Sequence, residues 1–255
     1  ELVTVTTNGR QVVRVSRESE SQATPVAGVP TDPNRRAVEY LLSLPGADRA
    51  DRQAVQINDG KRWFDVRKVI DLPIGPFQLT AFTGNQTLDD AGLENLRGCL
   101  HLRTLNLWNT RVTPTGMAVF KDCQKLQTLS LIGHNIDDAA LEPFQGMPLK
   151  TLHVQGRMTD AGLAVFKDST NIETLSLIGK HFTGTGLNHF KGCTNLTRLT
   201  LLDAGAVTDD TVEILSGFET LKTLTLKGTK MTEAGVKKLT AALPECKVEW
   251  DGEQK

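Results

Sequence analysis

Aromatic residues are scarce in this chain: 13 of 255 positions, with a single tyrosine. A core of ordinary size must therefore be built from aliphatic side chains. The four cysteines include no C-x-x-C pair, which argues against a zinc site. No apolar run approaches the roughly 18 residues needed to cross a bilayer. Neither charge dominates, with 29 Lys and Arg against 30 Asp and Glu, so no global field draws the chain to nucleic acid or anionic lipid. The chain opens without Met and without a signal-like segment, and reads as part of a longer protein. Set against these shortages are 33 Leu and 30 Thr, and 28 of the Leu lie at or after Leu79. Leucine concentrated in one region calls for a search for a period.

The period is present. An L-x-x-L-x-L pattern reads Leu102-Leu105-Leu107, Leu126-Leu129-Leu131, Leu149-Leu152-Val154, Ile172-Leu175-Leu177, Leu196-Leu199-Leu201 and Leu221-Leu224-Leu226. Its copies start 24, 23, 23, 24 and 25 residues apart, after a degenerate one at Leu79-Phe82-Gly84. A second block follows each at matching offsets, from Leu88-Asp-Asp-Ala-Gly-Leu93 to Met231-Thr-Glu-Ala-Gly-Val236. Alternation over a short span marks a half-buried strand. The Thr or Asp near the start of the second block is placed to cap a helix, and acidic pairs such as Asp89-Asp90, Asp137-Asp138 and Asp209-Asp210 read as caps and helix-dipole partners. The small residues at Gly92, Gly116, Ala140, Gly162, Gly186, Thr211 and Gly235 are expected to let neighbouring helices approach. A bulky column, Leu96, Phe120, Phe144, Phe166, Phe190, Leu215 and Leu239, completes the inner helix face.

One such unit cannot bury its own apolar face, but a stack can. The spacing therefore predicts an α/β fold, a right-handed leucine-rich-repeat solenoid with a parallel concave sheet and short convex helices, capped at both ends. The expected organisation is a hairpin over Asn8-Gly9 and a linker in 1–31, an N-terminal cap in 32–76, seven repeats in 77–245, and a closing strand and tail in 246–255. In the cap, a helix should start at Asp32-Pro33, followed by a hairpin over Asp59-Gly60. Trp250 is expected to cover the final edge.

The repeats resemble the T-D-A-G-L-x-x-F-K-x-C form of leucine-rich-repeat proteins of planctomycete bacteria. The residues concerned are Thr159-Asp-Ala-Gly-Leu-Ala-Val-Phe-Lys167, Phe120-Lys-Asp-Cys123 and Phe190-Lys-Gly-Cys193, with the ending Leu243-Pro-Glu-Cys-Lys-Val-Glu-Trp-Asp-Gly252. The resemblance covers about residues 32–252 and implies a sensing or scaffolding part of a larger protein, often linked to a serine/threonine kinase and a membrane helix. It also favours a cell-envelope or extracytoplasmic setting. The chain itself carries no Gly-rich loop, H-R-D or D-F-G.

Little reads as catalytic. Cys99, Cys123 and Cys193 share one repeat slot with Ser169, three residues before a strand, and read as buried free thiols, with a Cys99–Cys123 disulfide as the alternative. The five histidines form no triad or H-E-x-x-H arrangement. No cofactor or metal is implied, and enzymatic activity is the least favoured class. The concave face is where function is expected. Its first two outward columns, which include Asn106, Ser130, His153 and Arg198, read first as strand packing and second as a polar contact surface. The third column, Trp108, Ile132, Gln155, Ile178, Leu202 and Lys227, places large apolar groups at the lip through Trp108, Ile132, Ile178 and Leu202. It is open between a binding patch and a surface covered by a neighbouring segment or molecule. The leading expectation is a non-catalytic module binding a protein or peptide, not nucleic acid. The alternative is a structural spacer that self-associates through residues 1–15.

Overall fold

The computed structural model describes residues 2–7, 10–15, 32–45, 54–84 and 86–252. They fall into two compact units, 1–31 and 32–255. In the first, β1 (Leu2–Thr7) pairs antiparallel with β2 (Arg10–Val15), in register from Leu2 opposite Val15 to Thr7 opposite Arg10. The turn at Asn8-Gly9 and the linker expected over 16–31 lie outside the described residues.

The second unit begins with α1 (Pro33–Ser43). Asp32 caps it by accepting from the Asn34 N–H at 3.0 Å, with Pro33 in the first turn where its missing N–H costs nothing. Ala37, Val38 and Leu41 form its buried face. The hairpin of β3 (Ala54–Asn58) and β4 (Trp63–Val66) follows, with Asn58 and Asp59 side chains accepting from turn N–H groups. The repeats then contribute β5 (Gln78–Gly84), β6 (Thr104–Trp108), β7 (Thr128–Ile132), β8 (Thr151–Gln155), β9 (Thr174–Ile178), β10 (Arg198–Leu202) and β11 (Thr223–Lys227). A last strand, β12 (Lys247–Trp250), closes the order. Strands β5 to β12 run parallel, each beside its sequence neighbour, and β3 joins antiparallel to β5. This is a leucine-rich-repeat solenoid. The inward leucines of neighbouring coils lie in register, for example Leu105 opposite Leu129 and Leu107 opposite Leu131. They are fully buried. Phe120, Phe144, Phe166 and Phe190 form the second inner column, also fully buried, and the Phe120 and Phe144 rings stack at 6.3 Å. At the C-terminal end Trp250 takes the rung opposite Leu226 and packs, partly buried, against the core.

The segments opposite the sheet are shorter than regular helices. Two are single α-turns, α2 (Asp90–Leu93) and α3 (Pro114–Met117), each continuing as a 3₁₀ turn. Asp138–Phe144, Gly162–Phe166 and Thr185–Phe190 are 3₁₀ throughout. A coil of 23–25 residues leaves few for this side, and the 3₁₀ form spans more length per residue. Only at the C-terminal end does the chain build α4 (Val212–Ser216) and the longer α5 (Glu233–Ala242).

The acidic residues keep the expected places at caps and first turns, and some of them add a contact between coils. In Asp89-Asp90 and Asp137-Asp138 the first member caps its own turn: Asp89 accepts from the Gly92 N–H at 2.9 Å and Asp137 from the Ala139 N–H at 3.2 Å. In those two pairs the second member reaches into the next coil; in Asp209-Asp210 the first member does so, while Thr208 caps the turn by accepting from the Asp210 N–H at 3.3 Å. Asp90 accepts from both the backbone N–H (2.7 Å) and the hydroxyl (2.6 Å) of Thr113. Asp138 does the same with Thr159 at 2.7 Å for both. Asp160 clamps Thr183, and Asp209 clamps Thr232 at 2.9 and 2.6 Å. Thr113 makes no cap bond to its own turn, whereas the clamped Thr159 and Thr232 also accept from the Ala161 and Gly235 N–H groups of theirs, each at 3.2 Å.

Each clamp explains a glycine. A Cβ on Gly116 would stand 2.2 Å from the Asp90 carboxylate, one on Gly162 would stand 2.4 Å from that of Asp138, and one on Gly235 would stand 2.1 Å from that of Asp209. Gly186 meets Asp160 in the same way, at 2.9 Å. The two junctions without the aspartate relax the rule. Pro114 stands in its place ahead of Ala140, and Gly184 ahead of Thr211, where a Gly184 Cβ would meet the Thr211 methyl at 2.6 Å. At the N-terminal end the cap imitates the clamp, since a Cβ on Gly92 would lie 2.2 Å from the Tyr40 hydroxyl. Burial, and then the Asp89 charge, raise the pKa of that phenol, so it stays protonated.

The thiols are free and buried. The Cys123 S–H points to the Cys99 carbonyl at 3.6 Å and the Cys193 S–H to the Ser169 carbonyl at 2.8 Å, so each bonds to the same slot one coil earlier. Burial pushes Cys99 and Cys123 up to about 12.

Two outcomes follow from the clamps. Gly162→Ala should lower the unfolding free energy by about 1–3 kcal/mol through overpacking. Gly133→Ala, whose Cβ would meet nothing nearer than 3.6 Å, should be nearly neutral. Urea midpoints of the two variants provide the check, and equal midpoints would contradict the reading. The second outcome concerns pH. The Thr232 hydroxyl, and then the Thr232 N–H, hold the Asp209 carboxyl below the ordinary carboxylate value. A depressed folded-state pKa gives stability that is complete above the unfolded value and is lost as pH falls through the folded one. Thr232→Val should therefore cost stability at neutral pH, and the part of the difference from wild type due to the Asp209 clamp should shrink as pH falls through the folded Asp209 pKa, leaving the loss of the cap bond to the Gly235 N–H. Urea titrations from neutral to acid pH measure it.

Candidate functional site

The outward positions of β6 to β10 form a rigid lattice, because every strand is paired on both sides. Trp108 ends β6 and remains 44% exposed, yet its indole N–H donates to the Ser130 hydroxyl at 3.0 Å. The ring is thus fixed to the neighbouring strand. Ser130 is 4% exposed and serves as support rather than as contact surface. Asn106 donates to the Thr83 hydroxyl at 3.2 Å and is half-buried. His153 lies opposite Ser130 and Ser176, two short side chains that are themselves buried. Desolvation lowers the His153 pKa, so the ring is neutral at neutral pH. Arg198 is exposed, with its guanidinium 3.5 Å from the Thr174 hydroxyl. Ile132, Gln155, Ile178 and Leu202 are half-buried along the lip.

Just beyond the lip the structure adds a feature that the columns alone do not show. The residue following each strand is Asn109, Gly133, Gly156, Gly179, Asp203 and Gly228. Several continue the ladder one step past the strand, with the Asn109 N–H donating to the Ile132 carbonyl at 2.6 Å and the Gly133 N–H to the Gln155 carbonyl at 3.0 Å. Asn109 and Asp203 adopt φ of 51°, a left-handed turn that Asn and Asp tolerate. Between them three consecutive coils carry glycine, which leaves a trough of about 420 Å³. Gly156 is sterically required, since a Cβ there would stand 2.6 Å from the Ile136 carbonyl oxygen. Ile132, Gln155 and Ile178 line the trough toward the sheet, and His134, Arg157, Lys180 and His181 line it toward the turns. A shallower hollow of about 310 Å³ continues past Asn109 to Arg111.

Of the positions singled out by sequence, Ile132, Gln155 and Ile178 come together in this trough. Trp108, Asn106, Ser130, His153, Arg198 and Leu202 lie outside its lining, on the sheet face and lip. Arg157, Lys180 and His181 escaped the columnar reading because they lie in the loops beyond the strands. The run of glycines at one offset after the strands was the available signal. Among the described residues no group of three or more His, Cys, Asp or Glu is arranged to hold a metal ion, and no helix is long and apolar enough to cross a membrane.

A family model for the BspA-type leucine-rich repeat region matches residues 77–173, in six copies. No curated protein matches. Among solved structures the chain is similar to an internalin from Listeria monocytogenes, at 16% identity with a TM-score of 0.48. That similarity covers 69% of this chain and 47% of the internalin chain, so the match spans about half of the internalin's length.

Proposed function

We propose that the chain is a non-catalytic module that binds a protein or peptide on the concave face and lip of the solenoid. The observation that carries this reading is Trp108, a large exposed aromatic held in place by its bond to Ser130 and set beside half-buried Ile132. Aromatic groups of this kind dominate interface energetics, and one already fixed loses little freedom on binding. Asn106, Arg198 and Gln155 supply polar contacts around it. His153, neutral and half-buried, adds a hydrogen-bonding group without a charge to desolvate.

By its likeness to the planctomycete-type repeat proteins, the module is the sensing or scaffolding part of a longer envelope-associated protein. The near-zero net charge supports a partner selected by shape and local contacts, not by a long-range field.

Trp108→Ala should abolish retention of the partner on immobilised protein while leaving the urea midpoint close to wild type. Quantitative pull-downs compared between wild type and variant, together with unfolding curves, give the test. A variant that unfolds early would make Trp108 a core residue, and unchanged retention would remove it from the interface.

A further inference from the structure

The trough beyond the lip is chemically specific, and it deepens the binding reading above, on which it rests. Its floor is the backbone of Gly133, Gly156 and Gly179, its sheet-side wall carries Ile132 and Ile178, and its turn-side wall carries Arg157 and Lys180 flanked by His134 and His181. All four of these turn-side groups are exposed. Arg157 and Lys180 form no ion pair with any described residue. The single carboxylate of the lining is Asp203, at the far end. In a chain of net charge −1, this is a local basic edge beside an apolar strip.

Gly133 adds an independent indication. Its Cβ would make only ordinary contacts, the nearest to Ile136 Cγ1 at 3.6 Å, and its backbone conformation does not demand glycine, so neither a clash nor strain accounts for the missing side chain. An open floor accounts for it, because any larger residue would fill the trough.

We propose that the trough seats an extended acidic segment of a partner protein, with an apolar side chain against Ile132 and Ile178 and carboxylates facing Arg157 and Lys180. Parallel strands lie about 4.8 Å apart, so Asn109 to Asp203 spans about 19 Å, the length of about five or six extended residues. A single-stranded nucleic acid fits less well. Such ligands are held by bases stacked on aromatic rings along a continuous positive groove. The trough lining contains no Phe, Tyr or Trp, its two imidazoles stand at the exposed turn side, and it ends at a carboxylate.

Fluorescence anisotropy on the full chain, with a labelled peptide of alternating Glu and Leu, tests the proposal. The controls are the same peptide with Gln for Glu and a single-stranded oligonucleotide of equal charge. The acidic peptide should bind most tightly and weaken as salt rises. Arg157→Glu with Lys180→Glu should weaken it by about tenfold or more, because like charges then face each other. Gly133→Leu should block it sterically with every charge retained. Melting curves establish that both variants fold. Equal binding of the Gln peptide, tighter binding of the oligonucleotide, or wild-type binding by both folded variants would overturn the proposal. Trp108 lies outside the trough lining, so its variant separates the two readings. If Trp108→Ala loses the partner but the trough shows no acidic preference, this inference fails and the binding reading stands. If the acidic peptide binds while Trp108→Ala leaves partner retention unchanged, the concave-face reading fails and the trough remains.

Discussion

An aspartate carboxylate laid over the glycine of the next coil is the contact on which the rest of this solenoid depends. The leucine rungs are non-directional, and burial alone would tolerate some sliding of one coil on the next. The clamp is directional. One carboxylate takes the backbone N–H and the hydroxyl of a single threonine, as Asp138 does with Thr159. Charge-assisted bonds of this kind are worth about 1–3 kcal/mol each where they are partly sheltered. The glycine beneath is the steric cost of admitting the carboxylate.

This contact has a functional consequence. The clamped threonines open the turns on the side opposite the sheet, two to three residues beyond Lys180, Arg157 and Arg111. Fixing those turns fixes the loops that carry Arg111, Arg157 and Lys180. The trough and the Trp108 patch are thus held by a scaffold that is stiff along its axis and paired across every repeat strand. Ligand recognition on such a surface loses little conformational freedom.

Much of the fold was legible because a period of 23–25 residues keeps two blocks in step. The leucine rungs, the phenylalanine column, the Asp32-Pro33 helix start and the Asp59-Gly60 hairpin all follow from local rules. The clamping role of the aspartates was not legible, because an acidic residue in the first turn of a helix already has a sufficient local explanation. The real partner of each lies 21–23 residues away and becomes adjacent only on stacking. The trough stayed hidden for the same reason. Glycine after a strand reads as a turn, and lone basic residues in loops read as solvated. Ser130 shows a further case: an outward hydroxyl on the sheet reads first as strand packing, and its bond to the Trp108 indole is visible only in the structure.

The most direct test of the clamp as the organising contact is a double-mutant cycle at Asp209 and Gly235. There the three atoms nearest an added methyl all belong to the Asp209 side chain. Gly235→Ala should destabilise the wild-type background, and in an Asp209→Ala background the same change should cost little or become favourable. The coupling should then be at least about 0.5 kcal/mol, above the scatter of independent sites. Strictly additive losses would mean that the glycine serves something other than the aspartate, and would contradict the account.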